Sequence, residues 1–597
     1  MTTKRFPPTV NNNPELQGDL ADLLVEQLEQ IGVEYIFGVP GGAIEPLYNA
    51  MARSSRKGGL RPIVARHESG AAFMADGYAR ETGKLGVCCS TTGPGATNLI
   101  TGVASAFVDN TPMLVITAQT ALHLFGKQSL QESSCTAVNT VAMFQSCTRY
   151  SSLVSHRGQL EGKLVSAIAA TQGPPAGPAH LSIPMDVLAA PRRMRPARSS
   201  VRLESVLKRH TLTDPDALAE LLFELEQAKR VVLLLGDGCG DAIEEIIEFA
   251  ELVQAPIITG PAGKRWMNHQ HPLYRGVLGF AGHRSARDAL VDKRNSLVLA
   301  VGTRFSEMIF GGWEEDEELN AKLIHIDDNL EHFSHSSLAR LHVCGTLRNI
   351  FRTSIDSLKE KRTVGALCLA PLPCSVTDRV GCGGADYPAA QITLNEPAAC
   401  FSAAFPLKPQ RLMRELSQRL PENARVFVDA GNSWAWATHY LHLKSTGLYR
   451  VGMGYGAMAW SIGASVGGAL GAAGAPTVCM TGDGSFLMSG QEITVAVAEK
   501  LPVVFVILND SVLGMVMHGQ RMGGAEEVAF ELPPVDYAQV ARAMGAHAET
   551  IRTVEELAAV DFRDICKREG PTLLDVHIDP EEIPPMASRM KTLGSLH

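Results

Sequence analysis

Along residues 19–31, DLADLLVEQLEQI, apolar side chains recur every three or four positions, which predicts an amphipathic helix. A short apolar run follows at Tyr35–Gly38, and Pro40-Gly41-Gly42 then opens a second helix. The rhythm repeats with a strand over Arg61–Arg66, a helix from His67 through Tyr78 and a strand over Gly86–Ser90. A glycine-rich turn (Thr92–Asn98) leads into another helix, and a further strand lies at Met113–Thr117. Strands alternating with helices predict a parallel sheet covered on both faces. A second alternation has strands at 229–238, 256–260, 296–302 and 322–327, and a third places strands at 426–429, 477–481 and 503–508. No short internal repeat is present, but the first and last blocks are expected to share a topology.

At 597 residues the chain is too long for one core, and about three domains are expected. The pattern divides it into a disordered tail (1–15), a first α/β domain (16–192), a middle domain (205–362), a linker (363–405) rich in Pro, Gly, Ala and Cys, and a last domain (406–597). The fold class is α/β, each domain a doubly wound, mainly parallel sheet. A net charge of −9 leaves no basic footprint for nucleic acid or an anionic membrane. Twelve cysteines are scattered without a CxxC pair, which argues against a zinc site or disulfide framework and for a reducing cytoplasm. No apolar run reaches the roughly 18 residues of a membrane span, and the polar N-terminus lacks a signal-peptide core.

The stretch with the most chemistry is GDGSFLMSGQEITVAVAEKLPVVFVILND, residues 482–510. It reads as a βαβ unit whose Gly482 and Gly484 let backbone approach a ligand, with helix N-terminal amides facing a phosphate. Asp483 and Asp510 fall at the ends of two strands that such a unit makes neighbours. They are oxygen ligands of the kind Mg²⁺ takes when it also binds a diphosphate. The whole pattern resembles the thiamine-diphosphate motif, with Asp510 standing where that motif ends in Asn. The resemblance makes the backbone carbonyl of Val512 the third protein ligand of the metal.

The segments FGVPGG, RHESGAAFMADGYAR, TTGPGATNL and DNTPMLVITAQ resemble, in order, the N-terminal pyrimidine-binding domain of acetolactate synthase and its relatives. The resemblance implies that 16–192 binds the pyrimidine of thiamine diphosphate and 406–597 its diphosphate. It makes Glu68 the acid that hydrogen-bonds a pyrimidine nitrogen, and Met458 the wedge that bends the cofactor. Gly456, Gly484, Ser485, Asn432, Ser433 and Met515 become further cofactor contacts. In the middle domain Gly279, Gly282 and Arg304 match positions that hold FAD, although Ala281, Ser306 and Met308 depart from that pattern. Because the two cofactor-binding domains differ, the family builds each site between two chains, so a homodimer is expected and a homotetramer is compatible.

The same resemblance implies a reaction in which a 2-oxo acid, pyruvate first among them, loses CO₂ and its remaining carbons join a second carbonyl compound. The product is an α-hydroxy ketone or an acetohydroxy acid. Gln131 matches a substrate-side glutamine, and His67 and His518 are candidates for handling protons and carboxylate. Around the substrate, Gly41 and Gly42 lie in the first glycine turn, Leu130 replaces a Phe, Met185 a Lys and Gly519 a Trp. Loss of an indole predicts a wider acceptor pocket than in the biosynthetic enzyme. Three readings compete: ordinary acetolactate synthase, a thiamine-dependent hydrolase of a 1,2-dione or an FAD-linked oxidase, and a binding protein with a decayed site.

Overall fold

The computed structural model describes residues 18–192, 212–310, 317–363 and 391–586; the tail expected at 1–15 and most of the linker expected at 363–405 lie outside them. The chain divides into two compact units, one holding 18–75 with 84–192, the other 76–83 with the described residues from 212 onward.

The first unit is built on one sheet. Its strands are β1 (Tyr35–Gly38), β2 (Arg61–Val64), β3 (Gly86–Ser90), β4 (Met113–Gln119), β5 (Tyr150–Leu153) and β6 (Pro178–Pro184). They lie in the order β2-β1-β3-β4-β6-β5, every pair parallel. The central strand β4, MLVITAQ, is buried along its whole length, whereas the edge strand β5, YSSL, is half-buried throughout. That contrast is what covering helices on both faces produce.

The second unit carries two more parallel sheets. The middle one comprises β7 (Val231–Leu235), β8 (Ile257–Thr259), β9 (Tyr274–Val277), β10 (Leu297–Val301), β11 (Leu323–Asp327) and β12 (Leu341–Cys344), ordered β12-β11-β10-β7-β8-β9. The last comprises β13 (Arg425–Val428), β14 (Tyr449–Val451), β15 (Thr477–Gly482), β16 (Val503–Asn509), β17 (His547–Ile551) and β18 (Thr572–His577), ordered β14-β13-β15-β16-β18-β17. Strand for strand this repeats the order of the first sheet, as the sequence led us to expect. In both, the order reverses beside the first strand, and the crevice outside the carboxyl ends at such a reversal is where α/β sheets bind ligands.

One apolar core runs through both sheets of the second unit, and a polar seam joins them. Lys264, 1% exposed, donates from Nζ to the carbonyls of Ala437 (2.7 Å), Thr438 (2.8 Å) and Leu441 (2.6 Å). These carbonyls end the helix Asn432–Tyr440, where a cation is favoured. Three neutral histidines staple backbone to backbone around it. Nδ1 of His283 accepts from the Val277 N–H (2.9 Å), so its Nε2–H donates to the carbonyl of His439 (2.9 Å). His439 accepts from Asn395 N–H and donates to Ala281 O, both at 3.0 Å. His269 accepts from Leu443 N–H (2.8 Å) and donates to Lys264 O (3.2 Å). The seam fixes the far end of the helix whose first residues are Asn432 and Ser433. Among the described residues no helix is long and apolar enough to cross a membrane.

Candidate active site

In the first unit the chemistry collects at the carboxyl ends of β1, β2 and β3. Glu68 begins the helix Glu68–Thr82 and is 8% exposed. Its Oε2 accepts from Asn98 Nδ2 at 2.9 Å. A Cβ on Gly95 would stand 3.1 Å from Glu68 Oε1, so the glycine of the Thr92–Asn98 turn keeps that oxygen approachable. Nδ1 of His67, beside it, accepts from Ser69 N–H (3.2 Å) and lies 2.7 Å from Ser69 Oγ. Gly41 packs where a Cβ would strike Thr91, while one on Gly42 would meet nothing within 4 Å.

Gln131 is exposed, with a left-handed backbone (φ 59°). Its carbonyl accepts from Thr92 Oγ1 (2.9 Å), and the buried Gln119 ties the loop through its Oε1 to Ser133 N–H (3.1 Å). Leu130 is 88% exposed and Met185 38% exposed, both apolar surfaces without cover in a single chain.

In the second unit the pairing of β15 with β16 sets Gly482 opposite Leu508, so Asp483 and Asp510 emerge from adjacent strand ends. Asp483 is 2% exposed and accepts Gly484 N–H at Oδ1 and Ser511 N–H at Oδ2, both at 2.7 Å. Asp510 Oδ1 lies 3.3 Å from the Val512 N–H. Burial pushes both carboxyls above the usual carboxylate range, and the charge of Asp483 adds to the rise at Asp510. Their neighbours are amides and further acid, Asp575 included. Two mutually repelling carboxylates, Asp483 buried and Asp510 half-buried, form an oxygen donor set that a small divalent cation would relieve, so the residues fit Mg²⁺. Among the described residues no three His, Cys, Asp or Glu side chains converge as a metal site; the third ligand expected here is a carbonyl. Val512 sits in a strap held by Leu513 N–H to Phe530 O (2.7 Å) and Leu532 N–H to Ser511 O (2.9 Å).

Of the residues expected at the cofactor, Asn432 and Met458 lie near this pair. A Cβ on Gly514 would fall 2.4 Å from Asn432 Nδ2 and 3.0 Å from Asp510 Oδ2, so glycine there allows the two side chains to approach. Asn432 Oδ1 is a buried atom with no hydrogen-bond partner among the described residues, an acceptor left for a ligand. Ser433 Oγ donates to the Asp429 carbonyl (2.9 Å). Gly456 is left-handed (φ 65°), and a Cβ on it would meet nothing within 4 Å. The Met458 thioether, 36% exposed, ends in a methyl 3.7 Å from a Cβ built on Gly484. Ser485 is buried and Met515 packs partly on the core. A Cβ on Gly519 would meet open space. His518 is 2% exposed, and burial with the nearby Arg521 charge holds its imidazole below the ordinary range; it faces the backbone of Pro580 and Glu582.

The three residues matched to a flavin make no cradle by themselves. A Cβ on Gly279 would strike the backbone of Met308 and Ile309, and one on Gly282 the carbonyl of Val277, so both glycines serve this chain's own close packing. Arg304 is paired with Asp237. Two residues the sequence did not single out are Asn98, the last residue of the glycine-rich turn, and Asp429, an acid at the end of a buried strand. Position alone was the available signal for each.

Three family descriptions match in order: "Thiamine pyrophosphate enzyme, N-terminal TPP binding domain" over residues 18–140, the central domain over 218–353 and the "C-terminal TPP binding domain" over 429–576. The chain is 30% identical over 583 residues to a "Probable acetolactate synthase large subunit" of Methanocaldococcus jannaschii, covering 95% of this chain and 93% of that one. It is 31% identical over 589 residues to the "Acetolactate synthase isozyme 2 large subunit" of Escherichia coli, covering 96% and 99%.

Proposed function

This chain belongs to the thiamine-diphosphate-dependent enzymes of the acetolactate synthase family, and from that premise we propose that it decarboxylates a 2-oxo acid, pyruvate first among them. The retained carbons are joined to a second carbonyl compound, giving an α-hydroxy ketone or an acetohydroxy acid. The observation that carries the reading is the pair Asp483 and Asp510 at adjacent strand ends, with an unpartnered Asn432 oxygen beside it. Thiamine diphosphate, when bound, supplies the reactive carbon.

The chain's own residues bind, orient and move protons. Asp483, Asp510 and the Val512 carbonyl hold Mg²⁺, and Asn432, Ser433, Gly484, Ser485 and Met515 line the diphosphate end. Gly456 and Met458 support the ring end. Glu68, steadied at Oε2 by Asn98, presents Oε1 over Gly95 to hold or share a proton. Gln131 and His67 serve the substrate side. His518, turned toward residues 580–582, orients that segment more readily than it meets substrate.

The acceptor is proposed to be bulkier than in the biosynthetic enzyme. Open space at Gly519 supports this, together with the apolar Leu130 and Met185. A homodimer or homotetramer is supported by apolar side chains exposed around the cofactor residues, namely Tyr455, Met458, Leu487, Met488 and Val516. A cytoplasmic setting is supported by the free thiols of all nine described cysteines. FAD rests on the resemblance alone, and visible flavin absorbance of the purified protein tests it.

The deciding experiment supplies Mg²⁺, thiamine diphosphate and labelled pyruvate, with and without bulky aldehydes, ketones and 2-oxo acids, and identifies products by mass spectrometry. Glu68→Gln is the control. Mixed products lost in the control support the proposal. The names of the relatives favour a second reading, ordinary acetolactate synthesis, and acetolactate as sole product would establish it.

A further inference from the structure

One buried carboxylate outside the expected ligands touches three of the segments that carry site residues in the second unit. Asp429 directly follows β13 and is 0% exposed. Its Oδ2 accepts from Ala459 N–H (2.9 Å) and Thr481 Oγ1 (2.7 Å), and its Oδ1 from Ser461 N–H (3.4 Å). The Ser485 hydroxyl lies close enough to hold the carboxyl down somewhat. Its backbone carbonyl takes the Ser433 hydroxyl (2.9 Å), and its N–H is tied to Met480 O (2.9 Å). Burial pushes its carboxyl up to about 6, yet every partner is a donor, which suits an ionised group.

The Ala459 bond is the informative one. Ala459 is left-handed (φ 69°), a conformation that is unfavourable for a non-glycine residue and needs local support. Its N–H belongs to the same peptide plane as the Met458 carbonyl. In a trans peptide the two point in opposite directions, so anchoring the N–H on Asp429 aims that carbonyl away from the core.

We propose that Asp429 is a positioning residue. It locks the Met458–Ala459 peptide, the Thr481–Ser485 segment and Ser433 into one rigid body, so that the ring support and the diphosphate turn keep a fixed separation. The inference rests on the cofactor assignment above and names a residue that assignment does not use. It predicts that Asp429 matters for a ligand spanning both ends and matters little for a ligand engaging the diphosphate turn alone.

The test titrates full-length protein with thiamine diphosphate and, separately, with inorganic diphosphate, both at saturating Mg²⁺, following tryptophan fluorescence. Asp429→Ala should weaken thiamine diphosphate by at least about tenfold, the loss of one or two net hydrogen bonds, and inorganic diphosphate by less than about threefold. Asp429→Asn, whose one remaining oxygen can keep the Ala459 and Thr481 donors, should recover most of the affinity. Thr481→Val spares the carboxylate and keeps the proposal testable if Asp429→Ala does not fold; it should cost about threefold for thiamine diphosphate. Equal losses for the two probes, or no loss for either variant, would overturn the proposal. Wild-type protein that binds no thiamine diphosphate overturns it together with the cofactor assignment, whereas insensitive variants of a binding-competent protein overturn it alone.

Discussion

The first and last sheets have the same strand order, and the same strand ends carry different chemistry. At the carboxyl ends of β2 and β3, the first sheet sets one buried carboxylate, Glu68, against an amide, Asn98. At the ends of β13, β15 and β16, the last sheet gathers three acids, the buried Asp429 and Asp483 and the half-buried Asp510. A lone acid bonded to an amide is suited to exchanging a proton, whereas clustered acids are suited to a cation and to ordering the loops around it. Topology chose where each site lies, and the residues just past each strand chose what it does.

The comparison breaks first if the two kinds of acid respond alike to neutralisation. Glu68→Gln should lower kcat by about 10²–10⁴, the span of general acid–base catalysis, with thiamine-diphosphate affinity and melting temperature unchanged. Asp483→Asn should act through binding: at limiting Mg²⁺, activity falls by at least about a hundredfold, beyond what loss of an outer-shell partner costs elsewhere. Its metal-free form should melt higher than wild type, because a buried repulsion has gone. Calorimetry with and without Mg²⁺ separates the two variants.

A smaller effect distinguishes the units by acid. Burial lowers His439 to about 4, and His269, His283 and His442 well below their ordinary value, all in the second unit. In the first unit, among the described residues, His180 is the fully buried case, lowered to about 3. A histidine depressed on folding binds its proton more readily when unfolded. The stability it contributes is therefore complete above about 6.5 and is lost as pH falls toward the folded value. Each should cost about 2 kcal/mol between pH 7 and 5, so denaturant unfolding should show the second unit losing more. Equal losses would contradict the neutral staples. Smallest of all, Gly519→Ala should stabilise the helix Gly514–Gly523 by about 0.5–1 kcal/mol in thermal melts, since its Cβ meets nothing.

Much of this was legible from local patterns. Buried central strands such as β7, VVLLL, and β16, VVFVILN, are continuous apolar runs, and no competing element fits them. The GDG turn announced its anion chemistry because glycine and a helix start act within a few residues. Legibility failed where two distant segments meet. Nothing near Lys264 in sequence shows that its ammonium ends a helix some 170 residues on, and no local pattern places the backbone of Met308 against Gly279 or that of Val277 against Gly282.

By itself the sequence determined the three α/β blocks and the residue types at each strand end, because these follow from periodicity and from chemistry confined to single turns. Tertiary structure alone decided which donors meet which carboxylate. It put Asn98 on Glu68, three donors on Asp429 and a repelling neighbour beside Asp510. Those partnerships depend on strand register and on loops brought together across the sheet, and burial then makes each of them count, since a charge withdrawn from water is governed by the few groups that still touch it.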